Sequence, residues 1–143
     1  MQESFATINL IATAFMTGLI WFVQIVHYPL FSFIPKEQIQ RYEEKHVKWT
    51  TFVVLPVMFL ELGTSIAMLW WRPLWLSIPV VWVLVLLLIL IWMSTFLLQV
   101  PCHEKLLKDP SSFTITRLVR TNWIRTVLWS ARLLILAWAL LSR

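Results

Sequence analysis

Four long apolar runs, at about residues 5–26, 51–70, 75–100 and 123–141, restrict this chain to very few folds. Each run approaches or exceeds the ~20 residues that an α-helix needs to cross about 30 Å of hydrocarbon. Hydrophobic residues make up 59% of the 143 residues and charged residues only 13%, which is too apolar for a soluble domain. The sequence therefore predicts an all-α polytopic membrane protein, a single four-transmembrane-helix bundle spanning residues 1–143.

The charges between the runs predict an orientation. Eight of the basic residues lie in two segments, 28–50 and 101–122: Lys36, Arg41, Lys45, Lys48, Lys105, Lys108, Arg117 and Arg120. Because basic residues near membrane ends stay on the cytoplasmic side, we expect both segments to be cytoplasmic loops of an inner (plasma) membrane protein. Both termini would then lie outside. We further expect 5–26 to be a retained first helix, because MQESF has no basic residue and the run is too long for a signal peptide.

The same charge distribution bears on partners. Topology accounts for the net charge of +5, so the lipid bilayer is an expected partner and nucleic acid is not. The single cysteine, Cys102, excludes an internal disulfide and a cysteine-rich metal site.

Polar residues recur at helical spacing along all four predicted helices. At 3.6 residues per turn each set shares one face, and polar groups in lipid should face the bundle interior. The sets are Thr13, Thr17, Gln24 and His27; His46, Thr50 and Glu61; Thr95, Gln99 and His103; and Asn122, Arg125, Trp129 and Arg132. We therefore expect a polar pocket at the cytoplasmic end of the bundle.

Two charged residues lie deep within the predicted membrane. Glu61 is roughly 16 Å and Arg132 roughly 15 Å from the cytoplasmic edge of their helices, at 1.5 Å per residue. An isolated charge at such depth costs several kcal/mol, so the sequence predicts a buried Glu61–Arg132 ion pair. This pair would either fix the helix register or form the floor of the pocket.

The three histidines end or precede different helices, and they suit a metal site. His27, His46 and His103 could ligate Fe, Cu or Zn and leave positions open for water, oxygen or substrate. Glu43, Glu44 or Glu104 could add a carboxylate. Two alternatives stay open: heme ligation by two of the histidines, or histidines that only cap helix ends.

The remaining predicted site residues surround this cluster. We expect His27, His103 and Arg125 to be catalytic. The pocket would be completed by polar and aromatic residues on all four helices, namely Gln24, Glu61, Trp92, Gln99, Asn122, Trp129 and Arg132. Trp92 and Trp129 are candidates for stacking on a flat ligand.

Short motifs on three of the helices resemble those of the anthrone-oxygenase-like family of small four-helix membrane proteins. They are VQIVHYPLF, VPCHEKL and NWIRT, and they rest on His27, Pro101, Asn122, Arg125 and Thr126. The chain departs from the family pattern at His103, where the family's turn has Asn. The resemblance implies oxidation of a lipophilic, polycyclic substrate, with His27 and Arg125 as the positions that carry over.

The sequence thus favours an integral membrane oxidoreductase that acts on a lipophilic small molecule, with a metal held by His27, His46 and His103. Two other functions are open: a b-type heme-binding membrane protein, and a non-catalytic membrane carrier or assembly subunit. A homodimer that buries one helix face is equally compatible with so small a bundle.

Overall fold

The protein is a bundle of four long helices. The structure, a computed structural model, describes residues 1–142, and within these residues it contains helices and turns but no strand. The helices are α1 (Gln2–Phe33), α2 (Lys36–Ala67), α3 (Ile78–Lys108) and α4 (Ser112–Leu141). All four are long and apolar enough to cross a membrane, which confirms the predicted fold class.

The helices run alternately up and down. α1 packs against α2 and α4, and α3 packs against α4. α2 meets α3 mainly along the last part of α3, Val100–Lys108. The bundle is therefore closed at that end and more loosely sealed between α2 and α3 further into the membrane.

The helices extend well beyond the apolar runs that predicted them. With 30 to 32 residues each, they are about 45–48 Å long, against about 30 Å of hydrocarbon. The segments 28–50 and 101–122, which we expected to be loops, are mostly helical, and only residues 34–35 and 109–111 connect the helices there. The reason is that polar residues continue a helix into water without breaking its backbone hydrogen bonds.

α1 and α3 each contain one π-helical turn, at Val23–His27 and Thr95–Gln99. Each turn ends two residues before a proline, Pro29 or Pro101. Proline cannot donate the backbone hydrogen bond that an α-helix requires, and wider turns often accompany such breaks and functional sites. Each turn rotates the residues that follow it relative to the rest of the helix.

The start of α4 is fixed by a conventional cap. The Ser111 side chain accepts a hydrogen bond from the backbone N–H of Thr114 at 3.2 Å. The DPSS segment before α4 thus supplies its N-cap.

Two apolar core clusters lie at opposite ends of the bundle. One surrounds Met16, Met58 and Trp129, and the other surrounds Leu84 and Leu136. On three of the helices, buried polar side chains lie between the residues of the two clusters. They are Asn9, Thr13, Glu61, Thr64, Ser65 and Arg132. The interior therefore alternates between apolar and polar layers.

Candidate functional site

The predicted Glu61–Arg132 ion pair is present in the buried polar layer. The Arg132 Nη2 and Glu61 Oε1 atoms lie 3.5 Å apart, and neither side chain is exposed. The carboxylate also accepts hydrogen bonds from the Thr13 hydroxyl at 2.6 Å and from Trp129 Nε1 at 2.9 Å. The pair therefore ties α1, α2 and α4 together.

Further hydrogen bonds hold Arg132 in this layer. It donates to the backbone carbonyl of Leu84 on α3 and, at 3.3 Å, to Asn9 Oδ1 on α1. Asn9 in turn donates to Thr64 Oγ1 at 2.8 Å. Contacts with every helix favour the structural interpretation of this pair.

The three histidines meet near the end of the bundle where α1 connects to α2 and α3 connects to α4. His27 Nε2 lies 2.9 Å from His46 Nδ1, and the Thr50 hydroxyl lies 3.1 Å from the same His46 nitrogen. The rings of His46 and His103 have centroids 5.1 Å apart. His46 is thus the central histidine, with its Nδ1 occupied and its Nε2 left for another partner.

His103 is held by two partners, one on each ring nitrogen. Its Nδ1 lies 2.5 Å from Glu43 Oε1, and its Nε2 lies 3.0 Å from the Tyr28 hydroxyl. Glu43 is fully buried, and its other oxygen, Oε2, has no hydrogen-bond partner among the described residues. A buried carboxylate oxygen without a partner is costly, so this atom is suited to bind a cation.

A chain of hydrogen bonds continues from Tyr28 to α4. Arg125 Nη2 donates to the Tyr28 hydroxyl at 3.2 Å, and Arg125 Nε donates to Asn122 Oδ1 at 2.9 Å. Asn122 in turn donates to Gln24 Oε1 at 2.8 Å. Gln24 and Asn122 are fully enclosed and hold Arg125 in position.

Sequence reasoning missed Tyr28 and gave Glu43 only as one of three acidic candidates. Tyr28 follows His27 directly and sits at the same helix end, which is the signal that could have identified it. Tyrosine is common at membrane interfaces, however, so its position alone does not separate a site residue from a structural one.

The ligand atoms of Glu43, His46 and His103 lie within 4.8 Å of one another, and these three residues form the group best placed to hold a metal. This group contains Glu43 and not His27 of the predicted three-histidine set. His27 lies next to the group, where its Nε2 contacts Nδ1 of His46.

A cavity of about 430 Å³ extends from this cluster toward the middle of the bundle, as far as Met16 on α1 and Met58 on α2. Its polar end is formed by Tyr28, His46, His103 and Arg125. The remaining wall is mainly apolar, with Met16, Leu19, Ile20, Val23, Val54, Leu55, Met58 and Phe96 among its residues. The cavity thus combines a cationic, hydrogen-bonding end with an apolar body.

The predicted pocket residues divide between those that line this cavity and those that do not. Trp92, Gln99 and Trp129 line it, together with the predicted catalytic residues His103 and Arg125. The Nε1 atom of Trp92 is buried without a partner among the described residues.

The other predicted residues do not line the cavity: Gln24, His27, Glu61, Asn122 and Arg132. Trp129, which donates a hydrogen bond to Glu61, lines it instead of the ion pair. Asn122, which we expected in the pocket, accepts a hydrogen bond from Arg125 instead.

Comparisons with protein-family models, with curated proteins and with solved structures found no match to this chain. The geometry of the site therefore carries the functional interpretation.

Proposed function

We propose that the protein is an integral membrane oxidoreductase that acts on a lipophilic substrate, with a metal bound by Glu43, His46 and His103. The observation that carries the proposal is the position of this group. It lies at the polar end of an apolar cavity that is large enough for a small molecule. The resemblance to anthrone-oxygenase-like proteins points to the same reaction class and is part of this proposal.

The donor set suits iron or zinc. Two imidazoles and one carboxylate, with further positions open, form the set typical of non-heme Fe(II) oxygenases, and zinc enzymes use a similar set. Metal ligands lie about 2.0–2.2 Å from the ion, so atoms within 4.8 Å of one another need only small side-chain rotations to reach it. Iron would supply chemistry in which dioxygen is the oxidant and the substrate is oxidised.

Neighbouring residues orient the three ligands. His27 at Nδ1 of His46 leaves the Nε2 atom of His46 for a metal, as outer hydrogen bonds commonly do. With its Nδ1 toward the metal, His103 carries its proton on Nε2 and donates it to the Tyr28 oxygen. Arg125 donates to the same oxygen. The hydroxyl hydrogen of Tyr28 is then free to turn toward a substrate oxygen in the cavity.

Access to the cavity is proposed to be lateral. Thr51 and Leu55 on α2 and Phe96 on α3 line the cavity and are also exposed on the outer surface. A lipophilic molecule could therefore pass between α2 and α3 from the bilayer. The basic residues near the histidines support a cytoplasmic orientation of this end in the inner membrane.

Heme fits this arrangement less well than a single metal ion. His27 and His46 lie at hydrogen-bond distance, and the His46 and His103 rings are only 5.1 Å apart. A macrocycle placed between two axial histidines needs both rings to face it from opposite sides. Direct contact between the rings leaves no such gap.

The test is metal content, measured by mass spectrometry on protein purified without chelator and then loaded with Fe(II), Zn(II) or Cu(II). We expect about one ion per chain in the wild type. His46→Ala and Glu43→Gln should lose it. Glu44→Gln is the matched control, because Glu44 is the next residue on the same helix and is exposed.

A variant of His27 distinguishes the proposed ligand set, which contains Glu43, from the set of three histidines that the sequence predicted. His27→Phe should keep the ion and weaken its affinity by about 10–100-fold, since it removes an outer partner rather than a ligand. Complete loss of the ion in this variant, with retention in Glu43→Gln, would instead support the three-histidine set. Wild-type protein that binds none of the three metals would overturn the metal-dependent proposal.

A non-catalytic carrier is the second candidate. The observation in its favour is that both ring nitrogens of His103 already have partners, Glu43 at 2.5 Å and Tyr28 at 3.0 Å. A carrier would bind a lipophilic ligand in the same cavity with no need for a metal. Ligand binding that is identical in wild type and His46→Ala would favour this function.

A further inference from the structure

We propose that the cavity binds a single-chain amphiphile with an anionic head, specifically a long-chain carboxylic acid, whose carboxylate pairs with Arg125. The inference deepens the proposed function by naming a substrate class, and it rests on the cavity being the substrate site. The Arg125 contact does not depend on a bound metal, whereas donation by the Tyr28 hydroxyl requires its hydrogen to be free of His103.

In the part of the chain that the structure describes, Arg125 is a buried cation without an acidic partner. It is only 7% exposed, and among residues 1–142 the ion pairs join His103 with Glu43 and Arg132 with Glu61. Its hydrogen bonds go to neutral groups, Asn122 and Tyr28, through Nε and Nη2. A buried guanidinium is normally paired, because removing an unpaired charge from water is costly.

Part of the Arg125 guanidinium is free to bind a ligand. Arg125 lines the cavity, and its Nη1 atom remains accessible without a hydrogen-bond partner in residues 1–142. Tyr28 lines the same end. These two donors match the two oxygens of a carboxylate, which is the partner whose geometry suits arginine best.

The shape of the cavity suits a chain. Its lining runs from Met16 to Tyr28 on α1 and from His46 to Met58 on α2, which is about 18 Å along each helix axis at 1.5 Å per residue. A volume of about 430 Å³ spread over that length is a narrow slot. The slot is longer than a fused three-ring system, and its walls are mainly apolar away from the end next to Arg125.

One acidic residue borders the cavity, and it does not neutralise Arg125. Glu104 lies at the rim and is exposed, so water and salt screen its charge. The nearest acid along the hydrogen-bonded chain is Glu43, from which Arg125 is separated by His103 and Tyr28. A ligand at the Arg125 end of the cavity therefore meets the positive charge of the guanidinium.

The experiment compares an acid with its neutral ester. Wild-type protein in lipid nanodiscs is incubated with palmitic acid that carries a photoreactive group on its chain, or with the methyl ester of the same compound. Labelling is quantified by mass spectrometry. We expect the acid to label at least about tenfold more strongly than the ester, because a charge-assisted hydrogen bond is lost with the ester. Labelled peptides should contain Met16, Met58 or Phe96.

Two matched variants test the role of Arg125. Arg125→Gln should lower labelling by the acid about tenfold or more and leave labelling by the ester unchanged. Arg120→Gln makes the same charge change at an exposed position of the same helix and should label like the wild type. A third variant, Arg125→Lys, keeps the charge and should retain part of the labelling. It serves as the test if Arg125→Gln does not fold.

Equal labelling of wild type by acid and ester, or labelling that maps outside the cavity, would overturn the inference. Metal content is measured on the same samples, so that the carboxylate proposal and the metal-dependent function are tested independently. Metal binding without preference for the acid contradicts only the carboxylate proposal. Preference for the acid in protein that binds no metal contradicts only the metal-dependent function.

Discussion

Replacement of Glu61 by Gln should strongly destabilise the bundle. The change keeps the side-chain shape but leaves Arg132 as a fully buried cation without a counter-charge. It also places an amide group where Thr13 and Trp129 both donate hydrogen bonds. Breaking a buried ion pair from one side costs about 3–5 kcal/mol, which corresponds to a fall of roughly 6–20 °C in Tm for a chain of this size.

Thermal unfolding followed by tryptophan fluorescence measures the effect, because Trp129 is fully buried beside Glu61. Glu44→Gln, an exposed change on the same helix, is the control and should shift Tm very little. A double-mutant cycle with Arg132→Gln isolates the pair. The double variant should lose clearly less stability than the two single variants added together.

Two results would refute this reasoning. One is a Glu61→Gln variant as stable as Glu44→Gln, which would mean that the buried charge is neutralised in another way. The other is additivity of the single variants within about 0.5 kcal/mol, which would mean that the residues do not interact.

Three smaller changes test other parts of the structure. Tyr28→Phe removes the oxygen that joins His103 to Arg125 and should cost about 1–3 kcal/mol in thermal unfolding; an unchanged Tm would contradict the hydrogen-bonded chain. Trp129→Phe leaves one oxygen of Glu61 without its donor and should cost a similar amount, about 1–3 kcal/mol, measured by circular dichroism because Trp129 is the tryptophan next to Glu61 that reports by fluorescence. Ser111→Ala removes the N-cap of the last helix and should cost about 1 kcal/mol, with rescue by Asp as the diagnostic result.

The sequence could predict the fold class because the bilayer allows few solutions. Four apolar runs of sufficient length must become helices, since only a helix satisfies its own backbone hydrogen bonds in lipid. The Glu61–Arg132 pair followed from the same physics, because two opposite charges at equal depth are costly apart. Its partners Asn9 and Thr13 did not follow, because weakly polar residues are common in membrane helices.

The helix ends were harder to predict. Hydropathy marks where the hydrocarbon ends, whereas the helix continues as long as its backbone remains hydrogen-bonded. The first half of α2, which contains Glu43 and His46, was therefore expected to be a loop, although it is helical and packs against α1 and α3. Helical geometry places these two residues on one face, three positions apart.

The sequence by itself determined that this is a four-helix membrane bundle with polar faces and with three histidines near one end. Only the tertiary structure decided which groups meet: Glu43 with His103, Tyr28 with Arg125, and His27 with His46. The physical reason is rotation about the helix axes. Periodicity shows which residues share a face, but the π-helical turns and the packing of neighbouring helices set where each face points.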